Sequence, residues 1–155
     1  MAIDKVKAYF RQFGMEERIQ EFDTSSATVE LAAAALHCEP QRIAKTLSFL
    51  ADGQAILIVV AGDVKIDNSK YKAQFKTKAK MLSAQQAETM IGHAVGGVCP
   101  FAVEEGVNIY LDQSLKRFTT VYPACGSANS AIELTIPELE KYSGAAAWID
   151  VCKES

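Results

Sequence analysis

Residues 45–61 have the sequence KTLSFLADGQAILIVVA, which predicts a β-hairpin at the centre of the fold. Its two apolar runs, residues 45–50 and 55–61, are separated by Asp52-Gly53, a pair that favours the tight turn between antiparallel strands. The second run is apolar on both faces, so we expect it to be a central strand that is covered on both sides.

Helical patterns surround this hairpin. Apolar residues at helical spacing predict a first helix that ends at Gly14, and Thr24-Ser25-Ser26 provide cap residues for a second helix. The predicted starts of three further helices are Asp67, the capping box of Ser83 and Gln86, and Pro137.

Further strands are predicted near residues 18–22, 107–111, 118–122 and 131–135. Helices and strands alternate along the chain, but the hairpin and the closely spaced later strands exclude a purely parallel sheet. We therefore predict an α+β fold with one strongly curved, mixed sheet and helices packed outside it.

The composition is that of one folded domain, predicted to span residues 1–155. The chain has a mass of 16.8 kDa and is 49% hydrophobic, with no repeat or linker. A chain of this length can bury enough surface to fold without disulfides or a structural metal. Its net charge of −3 argues against a protein that coats nucleic acid through its overall charge.

The four cysteines, Cys38, Cys99, Cys125 and Cys152, are far apart and form no C-x-x-C pair, so we expect free thiols, no metal site and no cofactor. The start of the chain lacks a signal-peptide pattern, and the longest strictly apolar run, residues 55–61, is too short to cross a membrane. These features predict a soluble, cytoplasmic protein without membrane contact.

Positive charge is concentrated in one segment. Residues 65–80 carry six lysines and one aspartate, a charge of +5, so the other residues sum to −8. The lysines are Lys65, Lys70, Lys72, Lys76, Lys78 and Lys80. Such a run is usually a solvated surface, but it also fits local contact with a phosphate backbone.

Lys45 is unexpected, because strand alternation places it on the same face as Leu47 and Phe49. One interpretation is a lysine that extends to solvent or protects a sheet edge. The other is a fixed cation at the mouth of a cavity, suited to a phosphate or a carboxylate.

Two loops are rich in small residues. Residues 92–101, GHAVGGVCPF, place three glycines and a proline just after a predicted helix. Glycines allow a ligand to approach main-chain N–H groups closely, although a plain turn has the same composition. His93 and Cys99 in this loop also allow a cysteine hydrolase, but no third orienting residue is evident. Residues 124–130, ACGSANS, form the second loop.

Three ordered motifs together resemble the YbaK/EbsC family: RIAKTL at residues 42–47, the loop of residues 92–101, and Gly126-Ser127 ahead of Ile132-Glu-Leu. That family contains freestanding prolyl-tRNA editing proteins and the editing insertion domain of bacterial prolyl-tRNA synthetase. The resemblance covers nearly the whole chain. It implies a barrel-like mixed sheet and a deacylase that removes a wrong amino acid from a tRNA, usually the tRNA for proline.

The resemblance also implies site residues. Lys45 takes the role of the family's essential lysine, which contacts the phosphate near the terminal adenosine. Gly96 and Pro100 match the family's G-x-x-x-P motif, and Gly126 and Ser127 close the other side of the pocket. Cys99 lies inside the motif, and Ala102 stands where many family members carry glycine.

We expect main-chain N–H groups near Gly96, Gly97 or Gly126 to polarise the ester carbonyl. The substrate-binding residues are predicted to be Lys45, His93, Cys99, Pro100, Phe101 and Ser127, and the six clustered lysines are predicted to contact nucleic acid. The partners expected from this assignment are the acceptor end of aminoacyl-tRNA and prolyl-tRNA synthetase. Alternatives are a binding module without catalysis and a Cys99-dependent hydrolase.

Overall fold

The hairpin of residues 45–61 forms the middle of the main sheet in a computed structural model that describes residues 2–155. The strands are β1 (Ile19–Glu21), β2 (Ile43–Ala51), β3 (Gln54–Ala61), β4 (Val64–Ile66), β5 (Asn108–Asp112), β6 (Thr120–Pro123), β7 (Ser130–Ile132), β8 (Leu134–Thr135), β9 (Ala147–Ile149) and β10 (Cys152–Glu154). The helices are α1 (Ala2–Arg11), α2 (Val29–Leu36), α3 (Asn68–Phe75), α4 (Ala84–Gln86, continued by a π-helical turn, Ala87–Ile91) and α5 (Ile136–Ser143).

Six strands form a curled half-barrel in the order β8-β6-β2-β3-β5-β9. β2 pairs antiparallel with β3, whereas β6 beside β2 and β5 beside β3 run parallel to their neighbours. Two small antiparallel pairs, β1 with β7 and β4 with β10, lie outside this sheet. The predicted α+β fold with a curved, mixed sheet is confirmed.

Most of the helix starts predicted from local sequence patterns are confirmed. The Asp67 carboxylate accepts hydrogen bonds from the main-chain N–H groups of Ser69 and Lys70 at the start of α3. Ser83 and Gln86 form the predicted capping box of α4. Pro137 lies in the first turn of α5, where its missing N–H costs nothing.

Two sequence predictions are wrong in detail, and three short strands were not predicted. Helix α2 is capped by Thr28, whose hydroxyl accepts from Leu31 N, and not by residues 24–26. The strand predicted for residues 131–135 is divided at Glu133, because β7 pairs with β1 while β8 pairs with β6. The sequence interpretation also missed β4, β9 and β10, three-residue strands whose pairing partners are remote along the chain.

The core surrounds β3, in which residues 57–61 have no exposed surface. Helix α1 packs against it through Val6 and Phe10, and the Phe10 ring lies 4.8 Å from the ring of Phe101 in the glycine loop. This contact anchors the loop that follows α4. Within residues 2–155, no helix combines the length and hydropathy needed to cross a bilayer.

Candidate active site

A cavity of about 480 Å³ opens beside β2, between the segment leading into α2 and the two loops rich in small residues. Strand β2 contributes six consecutive residues, from Ile43 to Ser48. The glycine loop contributes Val95, Gly96 and Val98, and Ser130 and Ala131 line the opposite side. The walls are mainly apolar with a few hydroxyl groups, which suits a small uncharged group held at a few polar points.

Met81 and Val95 mark the mouth of this cavity. Both side chains line it, yet their exposed fractions are 59% and 66%, unusually high for large apolar side chains. Met81 adjoins Lys80 in the sequence, so the mouth opens next to the positively charged segment.

Among the residues that the structure describes, Lys45 is the one charged side chain in the cavity wall. It is partly buried, and its ammonium group makes no hydrogen bond or ion pair with any group in residues 2–155. Burial lowers the pKa of Lys45, and the nearby Asp63 and Glu30 only partly oppose that shift. Asp63 itself is engaged by Arg117, at 2.6 Å. The cavity therefore presents a desolvated cation that a bound anion would stabilise.

The position of β2 also bears on the two interpretations of this lysine. β6 pairs with β2 only at Ile43 and Ala44, so Lys45 begins a stretch of the β2 edge that no strand of residues 2–155 covers. Its neighbours Ala44 and Thr46 line the same cavity. Lys45 therefore lies at an uncovered strand edge and also in the wall of the cavity that opens there.

The two glycine-containing loops lie directly against each other. A β-carbon at Gly97 would lie 2.7 Å from the main-chain nitrogen of Ser127 and 2.8 Å from the carbonyl carbon of Gly126. Only glycine fits between them without displacing main chain. Of the four predicted catalytic residues, Lys45 and Gly96 line the cavity, whereas Gly97 and Gly126 hold the loops that enclose it.

The Gly97 N–H is also already engaged, because it donates to the carbonyl of Ala94 at 3.0 Å. Gly126 is buried against α1, with an added β-carbon 3.0 Å from atoms of Ala2 and Val6. Neither glycine lines the cavity, and the Gly97 N–H is not free to donate to a ligand. Gly96, with φ of +92°, is the glycine of this loop that forms part of the wall.

Four residues of the glycine loop are buried and do not line the cavity: His93, Cys99, Pro100 and Phe101. His93 Nε2 lies 2.8 Å from the Phe101 carbonyl oxygen and 3.5 Å from Cys99 Sγ. Burial lowers the pKa of His93 and raises that of Cys99 to about 12. An inaccessible thiol that stays protonated at neutral pH is a poor nucleophile, which argues against the Cys99-dependent hydrolase.

Ser127 does not line the cavity but contacts Ser130, which does. Its hydroxyl oxygen lies 2.7 Å from Ser130 Oγ and 2.9 Å from Asn129 Oδ1, and Ser130 reaches the cavity wall while Ser127 does not. Sequence reasoning missed Ser130 and Thr46 as wall residues. Thr46 could have been suspected from its position next to Lys45, but nothing local distinguishes Ser130.

The six clustered lysines are all exposed but differ in their surroundings. Lys70 is held by the carboxylate of Asp150 at 3.1 Å and the Cys152 carbonyl at 2.9 Å, and Lys65 lies opposite Lys153 in the β4–β10 pair. Lys72 and Lys78 line a second, shallow hollow of about 400 Å³. We refer to these two lysines and Lys80, which precedes Met81 in the sequence, as the basic surface.

The curled mixed sheet and its lysine-containing cavity define a small α+β domain with one candidate ligand site. The sequence profile of the aminoacyl-tRNA editing domain matches residues 23–142, and the chain belongs to that family. This confirms the predicted YbaK-type resemblance. The extension of this domain over all of residues 1–155 stays a prediction.

Individual relatives agree with this assignment. The uncharacterized protein YwhH of Bacillus subtilis (strain 168) is 53% identical over 99% of both chains. The proline--tRNA ligase of Lactiplantibacillus plantarum is 24% identical over 86% of this chain but only 23% of the ligase. A crystal structure of a proposed trans-editing enzyme for prolyl tRNA synthetase superposes with a TM-score of 0.88 and 25% identity, covering 98% of this chain and 97% of that one.

Proposed function

We propose that this protein is a trans-acting aminoacyl-tRNA deacylase, which hydrolyses the ester of a misacylated tRNA, in the first place the tRNA for proline. The observation that carries the proposal is the unpaired ammonium of Lys45 in the wall of a mainly apolar cavity. The cation suits the phosphate that precedes the terminal adenosine, and the apolar walls suit a small aminoacyl group.

Hydrolysis of this ester needs little from the protein beyond positioning. An aminoacyl ester is already activated, so a held substrate and a polarised carbonyl are enough to accelerate attack by water. The water oxygen bonds to the carbonyl carbon, the bond from that carbon to the ribose oxygen breaks, and the ribose oxygen takes a proton. A neighbouring ribose hydroxyl can relay that proton, and the thiol of a cysteinyl substrate can replace water as the nucleophile.

A separate editing site is useful because a hydrophobic pocket separates amino acids of similar shape by only ~10- to 200-fold. Such a site would act on tRNA released by the synthetase, and a cytoplasmic location is part of this proposal. Docking on prolyl-tRNA synthetase is the corresponding partner proposal. The basic surface of Lys72, Lys78 and Lys80 would guide the acceptor end to the cavity mouth.

One observation favours a second candidate, a tRNA- or synthetase-binding module without catalysis. Within the part of the chain that the structure describes, the cavity walls contain no carboxylate, imidazole or thiol. Such a module would bind aminoacyl-tRNA in a salt-sensitive manner and release no amino acid.

The deciding experiment incubates the purified protein with tRNA for proline charged in turn with cysteine, alanine, serine, threonine and proline. The deacylase predicts faster release of at least one wrong amino acid than in buffer, with prolyl-tRNA spared. Stable binding without release of any amino acid would instead support the binding module.

A further inference from the structure

The edge of β2 that faces away from β3 is only partly covered. At one end, β6 pairs with Ile43 and Ala44. Towards the other end, residues 80–82 pair with β2, since Leu50 N donates to Lys80 O at 2.8 Å and Leu82 N donates to Ser48 O at 3.1 Å. Between these two partners, residues 45–47 have no neighbouring strand on this side, and the cavity lies there.

The main-chain N–H and C=O of one strand residue point to one edge and those of the next residue to the other edge, so residues i and i+2 share an edge. Ser48 and Leu50 bond to residues 80–82, so the main-chain groups of Thr46 point to the same side, into the gap. Residues 2–155 supply no main-chain partner for the Thr46 N–H and C=O there. The Thr46 hydroxyl oxygen is also buried without a hydrogen-bond partner, so this position concentrates unsatisfied polar groups in an apolar wall.

A free N–H and C=O on one residue of a strand edge match the C=O and N–H of one residue on a neighbouring strand. An aminoacyl ester carries the same pair of groups, an α-amino donor and a carbonyl acceptor two bonds apart. We propose that the Thr46 main chain binds the aminoacyl group as if it were one strand residue: Thr46 C=O accepts from the α-amino group, and Thr46 N–H donates to the ester carbonyl oxygen.

This inference rests on the proposed deacylase function and names the main chain of Thr46 as the part of the site that binds the aminoacyl group. It explains how the carbonyl is polarised although the Gly97 N–H is bonded to Ala94. Recognition by main chain is independent of the amino-acid side chain, so discrimination among amino acids falls to the apolar walls. The charge of Lys45, on the adjacent residue, is reserved for the phosphate.

Two non-hydrolysable probes test the proposal by calorimetry: 3′-alanylamino-3′-deoxyadenosine 5′-phosphate, and the 3′-propionylamino analogue that lacks the α-amino group. We expect the wild type to bind the alanyl probe about tenfold or more tightly, because the analogue leaves Thr46 C=O unpaired. Thr46→Val removes only the hydroxyl and should keep this preference. Equal binding of the two probes by the wild type would overturn the proposal.

A spectroscopic measurement on the wild type avoids reliance on a backbone variant. In ¹⁵N–¹H spectra, the Thr46 amide resonance should shift and its hydrogen exchange should slow when the alanyl probe is added. The Ala146 amide, already bonded to Ile109 O at 2.7 Å, is the control and should not change. An unchanged Thr46 amide at saturation would refute the contact.

The outcomes separate this proposal from the function on which it rests. Deacylation together with equal binding of the two probes would support the proposed function but refute the Thr46 contact. Failure to bind either probe, with no deacylation of any tRNA, would overturn both.

Discussion

Gly97 lies against the main chain of Ser127 so closely that a β-carbon at position 97 would lie 2.7 Å from the Ser127 nitrogen. This contact fixes the glycine loop to the Gly126-Ser127 loop, and the two loops enclose the cavity that contains Lys45. The shape of the proposed site therefore depends on a glycine that does not itself line the cavity.

Gly97→Ala should force the two loops apart. We expect a loss of about 1–3 kcal/mol in the free energy of unfolding, as for other overpacked sites, and a clear loss of deacylation below the melting temperature. Gly106→Ala is the control, because nothing lies within 4 Å of its added carbon and only its positive φ is strained. Chemical denaturation and the deacylation rate measure both effects; a Gly97→Ala protein with wild-type values of both would contradict the loop contact.

Ala102 has a φ of +52°, in the left-handed region that favours glycine. Relief of that strain outweighs the greater chain entropy of glycine, so Ala102→Gly should raise the free energy of unfolding by about 0.5–1 kcal/mol. Ala146→Gly, at an exposed residue without positive φ, should slightly lower it. A destabilised Ala102→Gly protein would show that the lost methyl contacts dominate.

Cys99→Ser tests the excluded nucleophile. Because the thiol is fully buried and its pKa is raised to about 12, we expect deacylation to stay within about twofold of wild type. The native protein should react with iodoacetamide at Cys38, which is partly exposed, before it reacts at Cys99. A folded Cys99→Ser protein without activity would instead support the hypothesis of a Cys99-dependent hydrolase.

The salt dependence of tRNA binding should indicate a small footprint. Each phosphate contact with a single strand contributes a slope of about −0.7 in log K against log salt. The double variant Lys78→Ala, Lys80→Ala should therefore make the slope shallower by about 1.4, whereas Lys70→Ala, whose ammonium is held by Asp150, should leave it unchanged. Filter binding measures these slopes. If the double variant has the same slope as wild type, the basic surface does not contact tRNA.

Much of the fold was predictable because its signals are local. The Asp52-Gly53 turn, the Asp67 cap and the Ser83–Gln86 capping box each depend on residues within a few positions of one another. Strand β10 has no such signal, because its three residues become a strand only through pairing with β4, more than 80 residues away. The division of residues 131–135 at Glu133 likewise depends on which remote strand each half meets.

The candidate site was predictable only in outline. Lys45 stood out because a charge in an apolar run is locally anomalous, and the structure places it in the cavity wall. His93 and Cys99 look reactive in sequence, but burial depends on α1 packing over their loop, which no local pattern records. The free main-chain groups of Thr46 follow from where β6 and residues 80–82 end, which is a property of the assembled sheet.

Single-turnover deacylation by Lys45→Met tests whether the Lys45 ammonium in the cavity is required for activity. Lys153→Ala, at an exposed lysine on β10, is the control. The methionine variant should melt no lower than wild type, because burial already disfavours the charged form and lowers the pKa of Lys45. We predict a rate at least about 100-fold below wild type on the preferred misacylated tRNA, with the control unchanged. A folded Lys45→Met protein within about twofold of the wild-type rate would contradict the account.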